Sequence, residues 1–236
     1  MESISDNSFD KRQLINAIFI PCIIVIFMII TFIYEKGMDL DFHYAGVYPR
    51  KIENIWGVFT LIFIHSGWSH LLNNVLSFLI LGSFLYYFYR QIATKVLVIS
   101  YIFSGLLLWI IGRDNWHIGA SGLIYSLAFF LFFSGLFRKF VPLIAISLIV
   151  AFIYGSMIWH VFPWQINDPV SWEGHLAGGI TGTILSFWLK NKEPQKPIEQ
   201  WTDEEEDDNS IEYLADNEDN ELTEISKTKS NNINDH

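Results

Sequence analysis

The chain alternates long runs free of charge with short charged breaks. The uncharged runs are 13–34, 54–89, 96–112, 115–137, 140–167 and 174–189. Crossing a bilayer core takes about 20 apolar residues, with a range of roughly 17 to 25. The second run is too long for one helix, and the polar stretch HSGWSH (65–70) divides it. Residues 54–68 then read as an interfacial or loop segment and about 69–89 as the span. The first run exceeds a signal-peptide core of about 7–15 residues, and no small-residue cleavage site follows it. Irregular backbone cannot face lipid. The pattern therefore predicts an all-α membrane protein, a bundle of six transmembrane helices.

The third and sixth runs are short, at 17 and 16 uncharged residues. At about 1.5 Å per residue the sixth covers roughly 24 Å of a core about 30 Å thick. Either the bilayer is thinned beside it or the helix is buried inside the bundle.

Lys and Arg set the orientation. With the N-terminus inside, Lys11, Arg12, Arg90, Lys95, Arg138, Lys139, Lys190 and Lys192 fall on the cytoplasmic side. Lys36, Arg50, Lys51 and Arg113 fall outside, and the loop 161–173 carries no Lys or Arg. The positive-inside bias predicts both termini in the cytoplasm.

Composition agrees: 51% of residues are hydrophobic and 17% charged, against about 25% charged in soluble domains. The net charge of −10 is not spread evenly. Residues 191–236 hold 4 basic and 15 acidic residues, and the remaining 190 residues hold 11 and 10. The expected organisation is a cytoplasmic N-terminus (1–12), a six-helix domain (13–190) and a disordered acidic cytoplasmic tail (191–236). Cys22 is the one cysteine, which excludes an internal disulfide and a cysteine metal cluster. No cofactor, metal or nucleic-acid partner is expected.

Polar groups inside spans are costly and mark function by default. His70 and Asn74 open the second span, Ser121 the fourth and His175 the sixth. Even-numbered spans enter from the outside, so these groups share one depth on one side. His70 and Asn74 are spaced i, i+4 and share a helical face, as do Ser121 and Tyr125. Gly174, Gly178 and Gly182 recur every four residues beside His175, a spacing that lets helices approach at backbone distance. If the fourth helix is that neighbour, the imidazole can reach the Ser121 hydroxyl and activate it. His70, the Asn74 amide and the free N–H of Ser121 at a helix start are candidate donors to an oxyanion. Each feature alone has an ordinary packing explanation; their coincidence at one depth points to acyl transfer. Ser66, Ser77, Ser126, His43, His117 and His160 have no comparable partners and read as structural, and His65 beside the mouth is at most a minor structural element.

Over roughly residues 50–190 the sequence resembles the rhomboid intramembrane serine proteases. HSGWSHLLNN (65–74) matches the family's H-x-x-x-N at His70 and Asn74. GASGLIY (119–125) matches G-x-S-G followed by an aromatic, and GHLAGGITG (174–182) matches the final helix. The resemblance implies a six-helix rhomboid fold and a Ser121–His175 dyad without a third acid. It implies His70 and Asn74 on the oxyanion side, Tyr125 packed near the dyad and Gly119 tightening the loop before the serine. Gly122 and Gly178 belong to the same motifs, and Trp56 matches a tryptophan of the loop after the first helix, which lies partly in the membrane. Two departures stand out. Gly57 replaces the arginine that often follows that tryptophan, and GSFLYYFYR (82–90) lacks the acid often found there.

The expected activity is hydrolysis of a peptide bond in or near a substrate's transmembrane helix, with membrane proteins and lipid as partners, at the cell membrane, as in a bacterial inner membrane. A non-catalytic relative that binds transmembrane helices for trafficking or quality control would have lost Ser121 or His175. A proton-relay transporter would need a carboxylate within a span, and only Glu173, at an edge, comes near.

Overall fold

The computed structural model describes residues 3–162 and 171–195. These fall in one compact unit, Met1–Lys196. The acidic tail beyond Gln195 and most of the loop after the fifth helix lie outside the described residues. Among those described, the regular structure is helical: α1 (Ser3–Gly37), α2 (Trp68–Phe88), α3 (Ala93–Ile111), α4 (Ser121–Arg138), α5 (Val141–Tyr154) and α6 (Trp172–Trp188). Four of these are long and apolar enough to cross a membrane, namely Lys11–Gly37 of α1, α2, α3 and α4.

Helix boundaries and charge breaks do not coincide. α1 runs through Lys11 and Arg12 because both are good helix formers, so charge ends the apolar stretch without ending the helix. α3 is a full 19 residues, not a short span, because it recruits Ala93, Thr94 and Lys95. The short element is α5, at 14 residues. It gives way at Gly155, a poor helix former, to a 3-10 helix over Gly155–Val161.

α4 is the core of the bundle. Eleven of its 18 residues are buried, with Leu127, Phe130 and Leu131 wholly so. It packs on α6, α5, α3 and α2. The α4–α6 contact is backbone on backbone. A Cβ on Gly178 would strike the Gly122 carbonyl, and one on Gly182 the Ser126 carbonyl. α6 is not buried inside the bundle. Its glycine face lies on α4, while Ile184, Phe187 and Trp188 are exposed on the other side. Exposed Leu72, Leu76, Phe103 and Phe152 continue this apolar exterior around the other helices, as a lipid-facing surface requires.

α1 packs along α2, where Gly82 leaves room for the ring of Pro21: a Cβ there would come within 3.0 Å of it. Two turns further on, just past the C-terminal end of α2, Tyr89 lies under the guanidinium of Arg138, 5.3 Å from its ring centroid. Arg138 Nη2 also donates to the Leu189 carbonyl at 2.6 Å, so the stretch without an acid is closed by an aromatic ring and carbonyls.

The segment between α1 and α2 is built of short 3-10 turns, Ile52–Phe59 and Leu61–Phe63 among them. It is tied to the chain just before α4. Val47 and His117 exchange backbone hydrogen bonds of 2.9 and 2.8 Å, and Gly119 N–H donates to the Leu61 carbonyl at 2.8 Å. Gly57 sits against the Gly46 carbonyl so closely that no Cβ fits. Backbone contact therefore occupies the place where the resemblance puts an arginine.

Candidate active site

α2, α4 and α6 bring their N-terminal turns to one cavity of about 800 Å³. His70, Asn74, Ser121, Tyr125 and His175 all line it, with Ser66, Asn73, Arg113, His160 and Ser171 around them. Trp56 does not line it; it is 45% exposed on the outer face of its 3-10 turn.

Ser121 is the first residue of α4, after Ala120, whose side chain provides no cap. The first N–H groups of that helix have no intrahelical acceptor. The turn into it depends on Gly119, whose φ of +102° is open to glycine and strained for other residues. A Cβ there would also stand 2.5 Å from His70 Nε2 and 3.4 Å from Asn74 Nδ2. The loop before the serine and the His70–Asn74 face thus touch with no atom to spare.

His70 Nδ1 is 3.2 Å from Ser66 Oγ, so Ser66, four residues earlier and read as structural from the sequence, has a histidine partner. Asn74 is 6% exposed, and its Nδ2 has no hydrogen-bond partner among the described residues. Leaving a buried donor unpaired costs about 1–3 kcal/mol, and such a group is poised for an acceptor that arrives from outside.

His175 stacks on Tyr125 with ring centroids 4.1 Å apart and planes 6° apart. Its Nδ1 lies 3.0 Å from the backbone carbonyl of His160. A carbonyl oxygen only accepts, so Nδ1 carries the proton and Nε2 of the neutral ring is left with its lone pair. No hydrogen bond joins Ser121 Oγ to this ring among the described residues; in unliganded sites such bonds are often long. The carbonyl of His160 was beyond sequence reasoning, since every residue has one. Its partner is chosen by the 3-10 turn of Gly155–Val161.

Two further histidines stand at the rim. His65 is 1% exposed and its ring packs edge-on to His70 at 5.0 Å. Burial, and then the neighbouring His70 charge, push its pKa down to about 4. His117 Nδ1 is 2.7 Å from Ser171 Oγ and its Nε2 is 3.1 Å from the Arg113 carbonyl, so it too has a serine partner. Burial also holds His117 below the usual histidine range. Glu173 is the second residue of α6, at the margin of that helix. It is 2% exposed and pairs with Arg113 at 3.4 Å.

The Rhomboid domain model matches residues 53–192, which takes in α2 through α6 and all three motifs. The chain belongs to the rhomboid family. An uncharacterized protein of Mycobacterium tuberculosis is 33% identical over 165 residues, covering 67% of this chain and 68% of that one. An uncharacterized protein of Mycobacterium leprae is 31% identical over 181 residues, 72% of this chain and 71% of that one. Rhomboid-related protein 2 of Mus musculus is 28% identical over 149 residues, 59% of this chain and 49% of that one. The rhomboid match leaves out α1 and the first half of the loop after it. α1 packs on α2, and His43 of the loop after it lines the cavity although it precedes the matched residues.

Proposed function

We propose that this rhomboid is an intramembrane serine endopeptidase that cleaves membrane proteins in or near a transmembrane helix. In this reading six helices span the bilayer with both termini cytoplasmic, as the Lys and Arg distribution favours. Four helices meet the length and hydropathy of a span on their own, and α5 and α6 complete the six. α6, at 17 residues, reaches about 25 Å, so a bilayer thinned beside it suits a helix with one exposed apolar face. The cell membrane is the setting, and a bacterial inner membrane suits the orientation.

The observation that carries the reading is the tautomer of His175. With Nδ1–H held by the His160 carbonyl, Nε2 is a base in the same cavity as Ser121. Substrate backbone enters that cavity only after local unwinding, because helical carbonyls are otherwise bonded. Ser121 Oγ attacks the scissile carbonyl carbon while its proton passes to His175 Nε2. The developing oxyanion takes hydrogen bonds from the Ser121 N–H, His70 and the unpaired Asn74 Nδ2. The C–N bond then breaks, His175 returns the proton to the amine, and water repeats the sequence on the acyl-serine. The carbonyl does for His175 what an acid does in a triad: it orients the ring.

The test is covalent labelling of the detergent-purified protein by a fluorophosphonate probe, beside Ser121→Ala and His175→Ala. Labelling that requires both residues is the expected result. A folded protein that takes no label would instead indicate a rhomboid relative that only binds transmembrane helices.

A further inference from the structure

We propose that His117 is a positioning residue for the Ser121–His175 pair, acting through the Ser171 cap of α6. The inference rests on the dyad proposed above.

His117 lies four residues before Ser121 and Ser171 lies four residues before His175. One hydrogen bond joins them, and its direction is determined. His117 Nε2 faces the Arg113 carbonyl at 3.1 Å, so it carries the ring proton. Nδ1 of the neutral ring is then an acceptor, and the Ser171 hydroxyl donates to it across 2.7 Å. The same Ser171 oxygen accepts from the Gly174 N–H at 3.1 Å, while the Ser171 carbonyl receives the N–H of His175 at 3.3 Å. The first turn of the helix that carries His175 is thereby hung from the His117 ring.

On the other side, the His117 backbone is fixed by both hydrogen bonds to Val47. A Cβ on Gly46 would stand 2.5 Å from the His117 carbonyl. The His117 residue is 3% exposed, so its ring is held by its neighbours. Arg113 and Glu173, at 3.4 Å, make a second link between the same two segments. His117 is where the loop after α1, the turn into α4 and the start of α6 meet. A shift of α6 by a fraction of an ångström changes the Ser121–His175 separation directly, and misplacement of about 1 Å can cost a hundredfold in rate.

Two amide variants separate position from mere bulk. In His117→Asn the side-chain oxygen takes the place of Nδ1 and can still accept from Ser171. In His117→Gln the amide nitrogen takes the place of Nε2 and nothing faces Ser171. The time course of fluorophosphonate labelling on the full chain, across probe concentrations, yields a maximal rate and a half-saturating concentration for each. Expected is a maximal rate lowered roughly ten- to a hundredfold in His117→Gln, with half-saturation moved by less than about twofold. His117→Asn should retain the rate to within about threefold, and Ser171→Ala should match His117→Gln without adding to it in the double variant. Thermal unfolding of each variant in detergent accompanies the rates. Equal rates for wild type and His117→Gln would overturn the inference while leaving the hydrolase reading intact. So would equal losses in Asn and Gln that track loss of thermal stability. A wild type that never labels at Ser121 would overturn the hydrolase reading and this inference together.

Discussion

Tyr125 lies face to face with His175, one turn along α4 from Ser121, with 4.1 Å between ring centroids. The stack holds the imidazole plane, and the His160 carbonyl holds its rotation about that plane. Aromatic contacts of this kind contribute about 0.5–1.5 kcal/mol. Tyr125→Phe keeps the stack and should label with fluorophosphonate faster than Tyr125→Ala. Tyr125→Ala should label about 2- to 10-fold more slowly at saturating probe.

Gly119 tests the fit between the pre-serine turn and His70. An alanine there faces a positive φ and a methyl group 2.5 Å from His70 Nε2. Gly119→Ala should abolish labelling and lower the midpoint of thermal unfolding, at a cost of about 1–3 kcal/mol. A fully active Gly119→Ala protein would show that the His70–Gly119 contact is not required.

The α4–α6 seam has a different readout. Gly178→Ala and Gly182→Ala each push a methyl group into a carbonyl of α4, so the helices must separate. Overpacking of this kind costs about 1–3 kcal/mol. Both variants should unfold at lower temperature in detergent. Gly178→Ala, beside Gly122 and Tyr125, should lose more labelling than Gly182→Ala, which lies a turn further from His175.

Gly57→Arg restores a residue type common after the loop tryptophan, and here it should harm. The Gly46 carbonyl already fills the space where its Cβ would stand. Lower thermal stability and reduced labelling are expected, and unchanged values of both would sink this account of the loop.

Acidification should act through His65. Its folded-state pKa is depressed to about 4 by burial and then by His70, below the unfolded value of about 6.5. The unfolded chain therefore binds the proton first. Stability is complete above about pH 6.5 and falls as pH drops toward 4, by an amount on the order of 3 kcal/mol. Unfolding midpoints measured from pH 7.5 to 4.5 check this, with His65→Phe expected to lessen the slope and the remainder coming from other buried histidines such as His117.

Much of the site could be read from spacing because its residues stand at helix starts. His70, Asn74, Ser121 and His175 each fall within the first two turns after a polar break, so hydropathy alone placed them at one depth. The glycines of α6 announced a backbone-close partner, and α4 is that partner. What escaped was the work of groups without a side-chain signature or with a distant partner. The His160 carbonyl belongs to a run whose hydropathy looks like one span, and only the switch to a 3-10 turn at Gly155 aims it at His175. His117 looked idle because Ser171 lies 54 positions away and nothing in a helical period marks a loop contact, whereas Ser66 stands four residues before His70, a spacing that was legible.

The apolar runs, their charged margins and the three motifs determined by themselves that this is a helical rhomboid built for a membrane. Whether a run is apolar is a property of its composition, which any window of sequence contains. The tertiary structure alone decided which histidine nitrogen is a base, which donor is left unpaired and why Gly57 and Gly119 admit no side chain. Those are matters of which atoms meet, at a scale of tenths of an ångström, between segments far apart in the chain.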